Sequence, residues 1–147
     1  MNIIDTDALS HHMKLDAIGR AIEVHMVAPA ADFRITAVSA YEMVGGAVEL
    51  YERLKRHRRD LIPGFNLIQE VVEYLGGWQG RVLAYDMDSD RIYRGFAPRL
   101  RQELGDDARI AAVALARGVA VWTCNVKDFK KVPDLVVVEA ETAVVVK

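Results

Sequence analysis

Four acidic side chains in this sequence stand where carboxylates can do chemistry together: Asp5, Glu42, Asp107 and Asp128. Asp5 ends an apolar run, Ile3-Ile4. Glu42 lies one turn into the segment after Arg34–Val38. Asp107 opens a run of small residues, and Asp128 follows the apolar stretch Val119–Thr123. In an open α/β sheet, ligands bind beyond the carboxyl ends of the strands, so these four positions can share one rim. Carboxylates gathered in one place resist ionising together. A divalent cation removes that conflict, and an oxygen-only set suits Mg²⁺ or Mn²⁺. Such an ion lowers the pKa of a bound water and stabilises charge on a phosphate, the chemistry of phosphodiester hydrolysis. Thr6, Asp7, Thr123 and Asn125 flank the acids and are candidates for orienting them or the scissile phosphate.

Each acid also has a purely structural reading. Thr6 and Asp7 suit the N-cap of the first helix, and Asp5 can also cap it. Ser39 and Glu42 have the spacing of a capping box. Asp106 or Asp107 can cap the helix it precedes, and Asn125 and Asp128 suit a loop. The ordered recurrence of acids at strand ends favours the shared site. The four histidines, His11, His12, His25 and His57, lack metal-ligand spacing apart from the adjacent His11-His12, which cannot easily share an ion, and no histidine or cysteine pattern competes for the role.

The elements that must position these residues follow from periodicity. Strands are expected at 1–5, 34–38, 81–85, 119–123 and 135–138, with an edge strand at 142–146. Helices are expected at 15–28, from Ser39 to about 58, at 65–75 after a Pro63-Gly64 turn, at 88–103 and at 107–117. Pro98 removes a helix hydrogen bond, so 88–103 should kink or split in two. The 107–117 segment is apolar almost all round and should be a buried helix. Strands alternating with helices imply a mostly parallel central sheet with helices on both faces, a three-layer α/β/α sandwich formed by residues 1–147 as one domain.

Composition agrees with a globular chain. The 147 residues are 52% hydrophobic and 27% charged. The formal net charge of −2 excludes a molecule that binds nucleic acid by overall charge. The lone Cys124 excludes an internal disulfide and a cysteine-rich zinc site. No apolar run approaches the roughly 20 residues that span a bilayer, so no membrane association is expected, and the N-terminus lacks the features of a signal peptide. A cytoplasmic location is the expectation.

Five segments resemble motifs of PIN-domain proteins. Ile4-Asp5-Thr6-Asp7-Ala8-Leu9-Ser10 resembles their opening strand and helix. Ser39-Ala40-Tyr41-Glu42-Met43-Val44-Gly45-Gly46-Ala47 resembles their second conserved helix. Leu83-Ala84-Tyr85-Asp86, Asp107-Ala108-Arg109-Ile110-Ala111-Ala112 and Thr123-Cys124-Asn125-Val126-Lys127-Asp128-Phe129 follow in the family's order. The likeness spans residues 1 to about 139 and is nearest to the VapC-type toxins of toxin–antitoxin pairs. It implies a PIN-like fold, a metal-dependent ribonuclease acting on RNA with Mg²⁺ or Mn²⁺, a homodimer and a cognate antitoxin partner. It places the family's acids on Asp5, Glu42 and Asp107, and the fourth on Asn125 or Asp128. Asp7 where asparagine is usual, Cys124 where arginine is common, Pro98, and the tail Thr142–Lys147 depart from the pattern.

A basic run, Arg53, Lys55, Arg56, Arg58 and Arg59, closes one helix. It reads as a solvated helix end favoured by the dipole, or as a contact for RNA phosphates. A catalytically inactive RNA- or protein-binding module on the same fold is the competing function. A receiver-like phospho-acceptor domain is disfavoured, because no lysine follows Leu135–Val138 until Lys147.

Overall fold

The structure, a computed structural model, describes residues 1–147. Six strands form one sheet in the order β3-β2-β1-β4-β5-β6. They are β1 (Asn2–Ile4), β2 (Phe33–Thr36), β3 (Val82–Leu83), β4 (Ala120–Thr123), β5 (Val137–Glu139) and β6 (Val144–Val145). All neighbours pair in parallel except β5 and β6, which are antiparallel. The expected edge strand in the tail is therefore present as β6. Eight helices accompany the sheet: α1 (Thr6–Lys14), α2 (Ala17–Met26), α3 (Ala37–Arg56), α4 (Ile62–Gly76), α5 (Met87–Gly95), α6 (Pro98–Leu104), α7 (Asp106–Arg117) and α8 (Val126–Phe129).

The sheet has a core on each face. Side chains alternate along a strand, so neighbours Ile3 and Ile4 of β1 enter opposite cores, both fully buried. One core joins Ile3, Val121 and Val137 to Ile110, Val113 and Phe129 of α7 and α8. The other joins Ile4, Phe33 and Ile35 to Leu9, Ile22, Met43 and Val71 of α1 to α4. This is the expected three-layer sandwich. Helix α7 is the buried one, with Ala108, Ile110, Ala111, Ala112, Val113 and Ala114 all inside.

The chain runs outward from β1 through β2 to β3, then crosses back to β4 on the other side of β1. That makes the β1/β4 boundary the switch point of the sheet, where a crevice opens at the carboxyl ends. Register aligns Ile4 with Trp122, so Asp5 and Thr123 leave the sheet side by side.

Several helix boundaries differ from the sequence expectation. The helix expected over 15–28 is present but shorter, as α2 (Ala17–Met26). Leu15 adopts a left-handed conformation (φ 49°) after α1, and Asp16 then caps α2 by accepting from the Gly19 amide at 2.9 Å. Of the three candidate caps Asp5, Thr6 and Asp7, it is Asp5 that caps α1. Thr36 rather than Ser39 caps α3, with Ser39 already inside the helix. Pro63-Gly64 is no turn but lies in the first turn of α4, where a missing N–H costs nothing. Pro98 does split its segment, into α5 and α6.

Helices α1 and α2 approach so closely at Gly19 that a Cβ there would overlap the backbone carbonyl of His11. Backbone cannot swing aside as a side-chain tip can. Gly19→Ala is therefore expected to destabilise the protein by about 1–3 kcal/mol or more, the usual cost of overpacking. The urea unfolding midpoint, compared with wild type at constant slope, measures it.

Candidate metal centre

Asp5 is almost fully buried at the end of β1. Its position is fixed from three sides. Its amide donates to the Trp122 carbonyl at 3.0 Å. Its Oδ1 accepts from the Ala8 amide at 2.9 Å, and its Oδ2 accepts from Thr123 Oγ1 at 2.7 Å. Thr123 in turn accepts from the Asn125 amide at 2.8 Å, so one hydroxyl ties the two strand ends together. Burial drives the Asp5 carboxyl up to about 7. The two hydrogen bonds oppose the rise, and the charges of Asp107 and Asp7 add to it.

Glu42 reaches the same rim from α3, where Thr6 Oγ1 donates to its Oε1 at 2.7 Å. Burial raises its carboxyl, against the Thr6 bond, and Asp106 adds like charge. Asp107 sits in the first turn of α7. Burial pushes it up to about 6, and the charges of Glu42, Asp128 and Asp7 push the same way. Neither Asp106 nor Asp107 caps α7, whose N-cap is Gly105 with no side-chain bond. No lysine, arginine or histidine forms an ion pair with Asp5, Glu42 or Asp107, although the protein makes ten such pairs elsewhere and at its rim.

The fourth position is different in kind. Asn125 Nδ2 donates to Asp128 Oδ2 at 3.0 Å and lies 3.4 Å from Asp107 Oδ2, so it bridges the two acids. Asp128 Oδ1 accepts from Lys131 Nζ at 2.7 Å. The Lys131 ammonium, together with Asn125, holds Asp128 below the usual carboxylate range. Asp128 is thus at the rim but already neutralised, while Asp5, Glu42 and Asp107 are not. Lys131 is not among the candidates drawn from the sequence, although its i+3 spacing from Asp128 is the ordinary signature of a helical pair. Asp86, which also follows a strand, is turned away: it caps α5 and pairs with Arg117 at 3.0 Å.

Of the possible trios of histidine, cysteine and carboxylate donors, one closes to within 4.8 Å, and it is Asp7, His11 and Cys124. The expectation that no histidine or cysteine stands with metal-binding geometry is corrected here. Asp7 and His11 share one face of α1, and β1/β4 pairing delivers Cys124 to them.

A cleft of about 260 Å³ opens beside Thr6 and Glu42 and runs between α1, α3 and α4, with Ser10, Lys14, Met43 and Leu67 among its walls. The basic residues Arg53, Lys55, Arg56, Arg58 and Arg59 are all exposed at the far end of α3. Fourteen residues separate Glu42 from Arg56 along that helix, a span of about 21 Å.

No helix is long and apolar enough to cross a membrane. Neither a protein-family model nor a curated protein sequence matches the chain. Solved structures do. VapBC2 from Rickettsia felis, bound to a DNA fragment from its promoter, matches with a TM-score of 0.64 at 17% identity, covering 92% of this chain and 96% of that one. VapBC-1 from nontypeable Haemophilus influenzae matches with a TM-score of 0.63 at 20% identity, covering 95% and 97%. A toxin–antitoxin complex from Klebsiella pneumoniae matches with a TM-score of 0.63 at 20% identity, covering 95% and 98%. From β1 to the tail, this chain therefore has the PIN-like α/β fold of its neighbours in the VapBC toxin–antitoxin complexes.

Proposed function

We propose that this protein is a divalent-cation-dependent endoribonuclease, the toxin of a type II toxin–antitoxin pair. One observation carries the reading. Three carboxylates from separate elements converge at the switch point of the sheet with no cationic partner, and burial and nearby like charge raise all three. Holding unpaired carboxylates together costs stability unless an ion joins them. The donors are all oxygen, which fits Mg²⁺ or Mn²⁺.

Asp5, Glu42 and Asp107 would hold the ion, with Asp128 reached directly or through water. Bound there, Mg²⁺ or Mn²⁺ supplies an acidified water and charge stabilisation for the scissile phosphate. The chain's own groups do the positioning. Thr123 and the Ala8 amide fix both oxygens of Asp5, and Thr6 fixes Glu42. Asn125 keeps Asp107 and Asp128 at a set separation. Lys131 pairs with Asp128 as well as Glu103, so Asp128 brings less uncompensated charge to the rim than Asp5, Glu42 and Asp107 do.

RNA enters the proposal through α3, which begins beside the acids and ends in the basic run. A strand lying along it meets the chemistry at one end and cations at the other. Replacing Lys55, Arg56 and Arg59 together by Gln is expected to weaken single-stranded RNA binding. The slope of log affinity against log salt should fall by about 2, near 0.7 for each phosphate no longer neutralised. Fluorescence anisotropy across a salt series measures it, and an unchanged slope would make the run a solvated helix end. An antitoxin partner and a homodimer follow from the toxin reading, the former because the matching structures are VapBC and toxin–antitoxin complexes. The cleft between α1, α3 and α4 is a place for an antitoxin segment to reach the acids.

Cleavage of a single-stranded RNA by the purified protein tests the activity. Cleavage should require Mg²⁺ or Mn²⁺, stop in EDTA and return on adding excess metal. Cleavage that persists in EDTA would sink the mechanism. Saturable RNA binding without cleavage under any metal would favour the binding module instead.

A further inference from the structure

We propose that Asp7, His11 and Cys124 form a second metal site, one that takes a borderline-soft divalent ion such as Zn²⁺, distinct from the all-oxygen rim beside it. The donor atoms of the three lie within 4.8 Å of one another. Carboxylate, imidazole and thiolate ligands around a tetrahedral Zn²⁺ stand about 3.3–3.7 Å apart at normal bond lengths of 2.0–2.3 Å. His11 Nε2 is 3.9 Å from Asp7 Oδ1, so closure needs only small side-chain rotations.

The orientation of His11 points to the same use. His11 Nδ1 is 2.7 Å from Asp16 Oδ2. A carboxylate on one ring nitrogen fixes the tautomer and frees the other nitrogen as a metal ligand, the arrangement found around protein-bound zinc. Asp16 is itself held. Its other oxygen accepts from the Gly19 amide at 2.9 Å, and the absence of a side chain at Gly19 lets α2 pack against the His11 backbone. Glycine, aspartate and histidine thus form a rigid support that delivers Nε2 to the face Asp7 occupies one turn earlier on α1. Cys124 arrives independently, one residue beyond Thr123 at the end of β4. A sulfur–nitrogen donor pair selects zinc-like ions over Mg²⁺, which the neighbouring oxygen-only acids favour. With three protein ligands and an exposed Asp7, the fourth position is open to solvent.

Titration of the full-length protein with Co²⁺ tests this without reference to any activity. Wild type should develop a thiolate-to-cobalt charge-transfer band that saturates at one equivalent and is bleached by Zn²⁺. The band should vanish in Cys124→Ser and in His11→Gln, a half-exposed position that folding tolerates. Asp16→Asn should retain the band with affinity lowered about 10–100-fold. Asp5→Asn, which removes the rim's charge but keeps an acceptor for the Ala8 amide that caps α1, should leave band and stoichiometry unchanged. Absence of the band in wild type, or its survival in both Cys124→Ser and His11→Gln, would overturn the proposal. Loss of the band in Asp5→Asn alone would assign the ion to the oxygen rim and overturn it as well.

Discussion

Asp5→Asn is expected to lower RNA cleavage at least a thousandfold while leaving the protein folded. The substitution keeps the shape and the acceptor for the Ala8 amide but removes the charge that draws a cation. Metal stabilisation of a phosphoryl transition state is worth several kcal/mol, and each 1.4 kcal/mol is tenfold in rate. Asp5 is also the most fully enclosed of the acids, so no neighbouring group can take its place. Single-turnover rates on a defined single-stranded RNA, with Mn²⁺ saturating for both proteins, measure the loss. A variant within tenfold of wild type would remove Asp5 from the machinery. Lys131→Gln is a useful contrast, because it breaks the pairs with Asp128 and Glu103 and leaves the three raised acids in place.

The second large effect concerns stability. The carboxyl of Asp5 is raised from 3.8 to about 7 and that of Asp107 from 3.8 to about 6. Between pH 4 and pH 7 the unfolded chain has released these protons and the folded chain still holds them. The unfolded state then binds fewer protons, so unfolding free energy falls as pH rises through this window. The metal-free protein should lose a few kcal/mol between pH 4.5 and 7.5, and little more above that. The acids that are lowered, Asp16, Asp86, Asp90 and Asp128, act oppositely and govern the acid limb below pH 4. Mn²⁺ should reverse the loss, because it binds the ionised folded form; at a hundredfold excess over its Kd the gain is about 2.7 kcal/mol. Urea midpoints measured at pH 5 and 7.5, with and without Mn²⁺, should show a large metal effect at pH 7.5 and a small one at pH 5. Asp5→Asn should flatten the pH dependence. A wild-type midpoint that rises steadily from pH 4.5 to 7.5 would contradict the burial of unpaired charge on which the site rests.

The fold was legible because its signals are local. Ala108–Ala114 reads as a buried helix from composition alone, Pro98 marks a break no helix tolerates, and the β-branched runs mark the strands. Helix starts were less legible. Asp5 and Thr36 stand where a strand gives way to a helix, and the same residue type serves a cap or a ligand. The structure shows that Asp5 does the capping and faces Thr123 as well. What the sequence could not display was adjacency created by the switch point. Asp7 and Cys124 lie at opposite ends of the chain, and only the Ile4–Trp122 register brings them together. The state of Asp128 was hidden for another reason. Its partner Lys131 is visible at i+3, but whether such a pair closes depends on how α8 ends.

Crystals soaked in Mn²⁺ and measured at the manganese absorption edge test the central claim most directly. At a concentration that supports RNA cleavage, the anomalous map should hold a peak bounded by the carboxylates of Asp5, Glu42 and Asp107. A map with no peak among those three acids at that concentration would contradict the account.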